Sequence, residues 1–210
     1  MERAGQVMGV MRRGGYVVFA LASIAAAFVM VSAQQALGLP GVIGAGGMAL
    51  ASLGLIQVCQ ILRPDQRMWG RFQIRHFAVF LLAIVAVQFV CFKVRVALGD
   101  YDAGVQIARE MLKVNALGVL VAAPLFEEVI FRGLIWRAVE FGKGRLATAV
   151  TVIVTAAAFA LFHSQSNIAQ LALMGAVGTL LGVARAVSGG VALPITLHIA
   201  MNTYVALGAL

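Results

Sequence analysis

The stretch NALGVLVAAPLFEEVIFRGLIWRAVEF, residues 115–141, decides the fold, because it is long and apolar enough to cross a membrane but carries charges at its centre. Glu127, Glu128 and Arg132 each cost roughly 2.5–3.5 kcal/mol in the middle of an inserted helix, together about 8–10 kcal/mol. The eleven Leu, Ile, Val and Phe residues of its central part contribute only about 5 kcal/mol of favourable insertion energy. This helix would insert poorly alone, so we expect its charges to be offset by one another and by partners on neighbouring helices.

The rest of the chain also has the composition of a membrane protein. Of its 210 residues, 62% are hydrophobic and 11% are charged, and its mean hydropathy is +0.97. A soluble domain has roughly a quarter of its residues charged, so this chain could not cover itself with polar surface in water. In a bilayer, each spanning segment must satisfy its own backbone as a helix. The sequence therefore predicts an all-α, polytopic transmembrane helix bundle that forms one membrane domain over residues 1–210.

Several stretches have the length of about 20 mainly apolar residues that a spanning helix needs. They are residues 15–34, 40–62, 77–98, 114–139, 146–166, 168–187 and 190–209. This pattern predicts about seven helices, with six to eight compatible with it. The first apolar run follows basic residues as a signal peptide does, but it is longer than the apolar core of a typical signal peptide. We therefore interpret it as a retained first helix.

Two polar stretches interrupt the predicted helices, at residues 63–76 and 99–114. An arginine recurs at every fourth position of the first stretch, with two aromatic residues nearby: Arg63, Arg67, Arg71 and Arg75, with Trp69 and Phe72. On a helix these arginines would form one basic stripe, which is typical of a segment lying on anionic lipid headgroups. The second stretch is predicted to be a short surface helix or an extension of the fourth helix.

The basic residues of the loops predict how the chain crosses the membrane, because cytoplasmic loops carry an excess of Lys and Arg. With a cytoplasmic N-terminus, eleven lie on the inside: Arg3, Arg12, Arg13, Arg63, Arg67, Arg71, Arg75, Arg137, Lys143, Arg145 and Arg185. Four lie on the outside: Lys93, Arg95, Arg109 and Lys113. We therefore expect a cytoplasmic N-terminus and location in a bacterial inner (plasma) membrane. We attribute the net charge of +8 to basic loops that face anionic lipid headgroups. The sequence has no nucleic-acid-binding motif.

The charged centre of the fourth helix divides into a paired and an unpaired part. Glu128 and Arg132 are four residues apart with the glutamate first, which is the favourable order for an ion pair along a helix. Glu127 then has no local partner, and such a carboxylate can act as a general acid or base. Pro124 has no N–H, so the helix loses a hydrogen bond to Leu120 and a carbonyl is freed inside the bundle.

Two later helices carry further polar residues that are four positions apart. The sequence FALFH places Phe159 before His163, and HIAMN places His198 and Asn202 on one helix face. The interior of the bundle is the least costly place for polar side chains in a membrane. We therefore expect the two histidines and the asparagine to converge with Glu127. Such a cluster is more typical of a hydrolytic site than of packing.

These residues form three motifs in a fixed order. EEVIFR at 127–132 fits EExxxR, FALFH at 159–163 fits FxxxH, and HIAMN at 198–202 fits HxxxN. The ordered trio resembles the CAAX-protease and bacteriocin-processing family, also called the abortive-infection family, of intramembrane glutamic endopeptidases. The resemblance covers about residues 114–206, which would contain the catalytic helices. The first three helices carry no motif of this family.

The resemblance implies a catalytic role for four residues. Glu127 and His163 would activate a water molecule, and His198 and Asn202 would hold the oxyanion that forms on the substrate. Three further residues would support the site: Glu128, Arg132 and Phe159. The expected partner is a peptide or protein substrate, and members of the family process prenylated C-terminal tails, bacteriocin or signalling peptides, or sorting tails. No cofactor and no metal is implied, and nothing in the sequence selects among these substrates.

Three other interpretations remain open at this point. Glu127, His163 and His198 could form a three-ligand zinc site, although the H-E-x-x-H motif of zinc peptidases is missing. A small proton-coupled transporter could use Glu127 and His163 as a proton relay. A non-catalytic membrane scaffold or immunity protein could retain the same fold.

Overall fold

The computed structural model describes residues 2–62, 67–97, 99, 109–110, 112–113, 115–163 and 168–209. Seven long helices make up most of these ranges, and no strand occurs among them. In chain order they are α1 (Glu2–Ala36), α2 (Gly41–Leu62), α3 (Ile74–Ala97), α4 (115–139), α5 (Arg145–His163), α6 (Ile168–Ser188) and α7 (Ala192–Ala209). The predicted all-α bundle of about seven helices is confirmed, and α1 begins earlier than the predicted residue 15.

Most of these helices are suited to a bilayer. Five of them contain a segment long and apolar enough to span a membrane: Arg13–Ala36, Gly41–Ile61, Ile74–Ala97, Arg145–His163 and Ile168–Ser188. Helix α7 is apolar but shorter, over Ala192–Gly208. Large apolar side chains point outward, with Phe28, Ile61 and Leu146 between 74% and 80% exposed. Soluble monomers rarely expose such wide apolar surface, so the chain is an integral membrane protein.

Helix α4 has an irregular backbone. It alternates between π-helix at Gly118–Ala122 and Val129–Ile135 and α-helix at Ala123–Glu128 and Trp136–Val139. Near its start, Asn115 Oδ1 accepts the N–H of Gly118 at 2.9 Å, which is the hydrogen bond of a helix N-cap. Segments of π-helix are rare and occur frequently at functional sites. Here they enclose the short α-helical segment that ends at Glu127 and Glu128.

Helix α4 is also central, because it contacts α1, α2, α5 and α7. Its apolar side chains, including Phe126, Ile130 and Leu134, belong to a buried cluster with residues of α1 and α2. A second cluster joins α3, α6 and α7 through residues such as Ile84 and Val177. Ile84 is the one buried residue among the described residues of α3, so α3 lies at the periphery, where most of its surface meets lipid.

The basic stripe that the arginines of residues 63–76 would form on a helix is absent from the part that the structure describes. Residues 67–73 are not helical, and α3 begins only at Ile74. Gly70 has a φ of +72°, a left-handed conformation that glycine adopts at no steric cost and that an α-helix does not contain. The stretch at 99–114, predicted as a surface helix or an extension of the fourth helix, lies mostly outside the described residues, and its described positions 109–110 and 112–113 are helical.

The loop at 67–73 packs against the turn between α6 and α7. Three backbone hydrogen bonds join them, from the N–H of Arg71 to Ser188, of Val191 to Met68 and of Ala192 to Trp69. Gly70 and Gly190 meet at this contact so closely that a Cβ on either one would overlap the backbone of the other. The contact therefore ties the end of the N-terminal half of the chain to its last two helices.

Arg137 and Arg185, which the charge count places in cytoplasmic loops, are buried in the bundle. Arg137 is 2% exposed, and its Nη1 donates to the carbonyl of Gly133 at 3.2 Å and contacts the sulfur of Met68. Arg185 is 6% exposed, and its Nε donates to the carbonyl of Arg132 at 3.1 Å. Eleven minus these two leaves nine inside residues against four outside, so the charge bias keeps its sign.

We expect Gly190→Ala to destabilise the protein, because its Cβ would overlap the backbone of Trp69 and Gly70. Backbone atoms cannot rotate away, and overpacking of this kind costs about 1–3 kcal/mol. Thermal unfolding in detergent, followed by the fluorescence of Trp69 and Trp136, should show a lower midpoint. Gly46→Ala is the matched control, since a Cβ at Gly46 meets nothing within 4 Å. Equal midpoints for the two variants would contradict the close contact.

Candidate active site

Three side chains from three helices meet at one carboxylate oxygen. The Nε2 atom of His163, at the end of α5, lies 3.3 Å from Oε2 of Glu127 on α4. The Nε2 atom of His198, on α7, lies 3.8 Å from the same oxygen. The side chain of Glu127 is 17% exposed, that of His163 is 26% exposed and that of His198 is 4% exposed. The cluster is therefore mostly buried and is accessible from the side of His163.

The neighbouring carboxylate, Glu128, is fully buried and faces different partners. Its Oε1 accepts a hydrogen bond from Arg132 Nη1 at 3.0 Å and lies 2.9 Å from Nδ1 of His198. The predicted ion pair between Glu128 and Arg132 is thus present. Arg132 also donates from Nη2 to the carbonyl of Gly178 on α6, at 2.9 Å. This pair consequently joins α4, α6 and α7 inside the bundle.

Phe159, predicted to pack beside the site, lies at its centre. Its ring is 1% exposed, and the guanidinium carbon of Arg132 lies 4.7 Å from the ring centroid. A desolvated cation–π contact of this kind stabilises by about 2 kcal/mol. The same ring lies 4.3 Å from the ring of His163 and 5.7 Å from that of His198, between centroids. Phe159 therefore fixes the positions of both imidazoles and of the buried arginine.

Asn202 reaches α4 about two turns before the glutamates. Its Nδ2 donates to the carbonyl of Val119 at 2.9 Å. In the π-helical segment each N–H bonds to the fifth residue before it, as Ala123 does to Gly118. The next N–H in that register would come from residue 124, but proline has none. The carbonyl left without an N–H partner is therefore that of Val119, and Asn202 binds it. The α-helical register assumed from the sequence predicts a free carbonyl at Leu120 instead.

Sequence reasoning missed one residue that the site requires and misplaced another. Gly178 supplies the carbonyl for Arg132, and a Cβ on Gly178 would press against the backbone of Ala156 at 3.2 Å. Arg185 was assigned to a loop, but it binds the carbonyl of Arg132. The spacing of the two glycines in GTLLG at 178–182 was a usable signal, because small residues four apart are typical of close helix packing in membranes.

The residues that the structure describes were also compared with the zinc interpretation. Among them, no group of three or more His, Cys, Asp and Glu side chains is arranged to hold a metal ion. The second oxygen of Glu128 and Oε2 of Glu127 are both buried without a well-formed hydrogen bond, so the cluster has acceptor capacity for water or substrate.

We expect Arg132→Met to destabilise the protein strongly, because Glu128 would stay buried without its countercharge. Removing one partner of a buried ion pair costs about 3–5 kcal/mol. The yield of folded protein and the unfolding midpoint in detergent measure this loss. Lys113→Met is the matched control, since Lys113 pairs with Glu110 at an exposed site, 2.7 Å apart, where such pairs contribute about 0–1 kcal/mol. Similar losses in both variants would show that the buried pair does not hold the helices together.

Part of the chain matches the model of a known protein family. Residues 109–204 match the family model described as type II CAAX prenyl endopeptidase, Rce1-like. The matched part is slightly less than half of the chain and contains all three motifs. Searches of curated proteins and of solved structures found no match. The chain is therefore an integral membrane protein whose residues 109–204 are similar to the Rce1-like type II CAAX prenyl endopeptidases.

Proposed function

We propose that this protein is a glutamate-dependent intramembrane endopeptidase that hydrolyses a peptide bond near or within the membrane. One observation carries the proposal: two imidazole rings approach a single oxygen of Glu127, at 3.3 and 3.8 Å. A carboxylate and an imidazole at this distance, largely shielded from bulk water, can together take a proton from a bound water molecule. The family match supplies the reaction class, since it implies a protease.

Glu127 and His163 are the base in this proposal. The Nδ1 atom of His163 lies 2.8 Å from the carbonyl of Phe159, and a carbonyl only accepts hydrogen bonds, so Nδ1 carries a hydrogen. In the neutral ring Nε2 is then bare and faces Glu127. A water molecule beside Oε2 and Nε2 would find an acceptor for each of its hydrogens. Its oxygen lone pair is then directed away from them, towards a peptide carbonyl.

Asn202 and His198 hold the oxyanion in this proposal. The Nδ2 atom of Asn202 carries two hydrogens, and the bond to Val119 uses one of them. The other can point at the developing negative charge without any rearrangement, because Val119 holds the amide in place. Preorganised donors of this kind are worth about 10²–10³ in rate each.

We propose a substrate that meets the site from the outer face, such as the membrane-anchored C-terminal tail of a protein or a sorting signal. The support is the position of His163, the most exposed of the three clustered side chains, as the last residue of α5. With a cytoplasmic N-terminus in a bacterial inner membrane, the chain order of the helices puts that end of α5 at the outer surface.

We expect Glu127→Gln to abolish proteolysis, because an amide cannot take the proton from water. The measurement is terminal peptidomics on membranes of cells that express wild type or Glu127→Gln at equal levels. Peptide ends that appear only with the wild type would identify the substrate and the cleaved bond. Identical peptide ends from two well-folded proteins would instead favour the transporter or scaffold interpretation.

The other members of the cluster should follow the same pattern. We expect His163→Ala and His198→Ala to remove detectable cleavage and Asn202→Ala to slow it about 10²–10³-fold. His76→Ala is the matched control, because His76 lies in the first turn of α3 and is not among the side chains that meet at Glu127. Cleavage should also persist in the presence of metal chelators. If a chelator abolished cleavage and added zinc restored it, the zinc-site interpretation would be supported instead.

The proposed orientation predicts the location of two reporters. A reporter inserted in the loop at 140–144 should be active in the cytoplasm, and one fused after Leu210 should be active outside. The physical reason is the excess of basic residues on the inner loops, of which Lys143 and Arg145 are exposed. Reporter fusions with opposite compartment requirements measure both positions. The reverse result at both would invert the bundle and place the opening on the cytoplasmic face.

A further inference from the structure

The hydrogen bonds of Glu128 determine which nitrogen of His198 carries a hydrogen. Arg132 stays protonated in proteins, and its fully buried partner Glu128 is therefore a carboxylate, since a neutral acid would leave a buried charge uncompensated. A carboxylate only accepts hydrogen bonds. Because Oε1 of Glu128 lies 2.9 Å from Nδ1 of His198, Nδ1 must carry the hydrogen.

This assignment constrains what His198 can do at its other nitrogen. The neutral ring has one N–H, and Glu128 holds it at Nδ1, so Nε2 is bare and has nothing to donate. Nε2 is the atom that faces Oε2 of Glu127, 3.8 Å away. His198 can therefore donate to an oxyanion or to a leaving group only as the doubly protonated imidazolium, whose charge Glu128 balances.

The side chains around the His198 ring can balance the charge of a doubly protonated imidazolium. Glu127 and Glu128 on α4 are the two carboxylates beside it, and His163 on α5 shares Glu127 with it. Arg132 faces Glu128 and not the ring nitrogens. On α3 and α6, which also pack on α7, the charged side chains lie in the end turns. A doubly protonated His198 ring thus lies between two carboxylates, with Nδ1 facing Glu128 and Nε2 facing Glu127.

We infer that Glu128 is a positioning residue and that the Glu128–His198 pair is the proton donor of the reaction, separate from the base formed by Glu127 and His163. This inference rests on the proposed peptidase function. It changes the role of His198 from a fixed oxyanion donor to a group that gives its Nε2 proton to the amine that leaves. An acid beside a base of this kind is required because an amide nitrogen leaves only after it is protonated.

The proton balance of this cycle closes with the residues present. Glu127 takes one proton from water as the water oxygen bonds to the peptide carbonyl carbon, and the carbonyl electron pair moves to the oxygen as an oxyanion. When the oxyanion collapses, the C–N bond breaks and the amine nitrogen takes the Nε2 proton of His198. Glu127 then returns its proton from Oε2 to His198 Nε2, 3.8 Å away, through the next water molecule. Water and peptide have become an acid and an amine, and the enzyme is restored.

The ring state can be measured without a substrate. The chain has three histidines, so histidine labelled with ¹⁵N gives three rings by NMR in detergent, and single His→Gln variants assign them. We expect His198 to keep its hydrogen on Nδ1 when neutral. In Glu128→Asp, which keeps a countercharge for Arg132 but shortens the reach to Nδ1 by one methylene, the neutral ring should lose this fixed preference. His163 and the Glu110→Gln variant serve as controls and should not change.

The proton-donor role is tested with a peptide that spans the bond found by peptidomics, made once with its amide and once with a thioester there. A thiolate leaves without a proton. We therefore expect His198→Ala to lose at least 10²-fold more rate on the amide than on the thioester, whereas Glu127→Gln loses both equally. Glu128→Asp keeps a countercharge for Arg132 and should lose a smaller part of the rate, on the amide only.

The possible outcomes separate this inference from the proposed function. Equal losses on amide and thioester, with an active wild type, would overturn the donor role and leave the peptidase intact. A neutral His198 with its hydrogen on Nε2 would overturn the role of Glu128 directly. Absence of cleavage by the wild type would overturn the peptidase and the donor role together.

Discussion

The rest of the structure depends on the buried ion pair between Glu128 and Arg132. Helix α4 can lie inside a bundle only because these two charges neutralise each other, 3.0 Å apart. The guanidinium also donates a hydrogen bond to a carbonyl of α6 and lies over the ring of Phe159. Desolvation makes such a pair a poor source of net stability. It selects one packing arrangement, however, because a shift of α6 or α7 would leave a charge unpaired.

Two adjacent carboxylates have acquired different chemistry from their surroundings. Glu128 is fully buried and committed to Arg132 and His198, whereas Glu127 is partly exposed and faces only bare or shared ring nitrogens. A comparable division occurs in other hydrolases, in which neighbouring carboxylates take separate roles according to environment. Here the one-residue step along a helix turns the two side chains to different neighbours, so a single motif supplies both a structural anchor and the proposed reactive group.

The irregular backbone of α4 also helps to hold the site residues in place. The π-helical register before Pro124 frees the carbonyl of Val119, and Asn202 binds it. This bond fixes α7 against α4 about one turn from His198, so the proposed oxyanion donor and the proposed acid are held by the same two helices. At the opposite end of the bundle, the contact of Gly70 with Gly190 fixes the start of α7, which lies only two turns before His198.

The sequence by itself determined that the chain is a membrane bundle of about seven helices, that Glu128 pairs with Arg132, and that the polar residues of the three motifs lie in the bundle. Those conclusions depend on composition over about 20 residues and on contacts within one helical turn, which local sequence encodes. Only the tertiary structure decided that both histidines face the same oxygen of Glu127, that Asn202 binds Val119 and that Arg137 and Arg185 are buried. These features join residues up to 83 positions apart and depend on the rotation and register of each helix against its neighbours. Apolar surface facing lipid leaves that rotation nearly unspecified, so the packing of the polar groups fixes it.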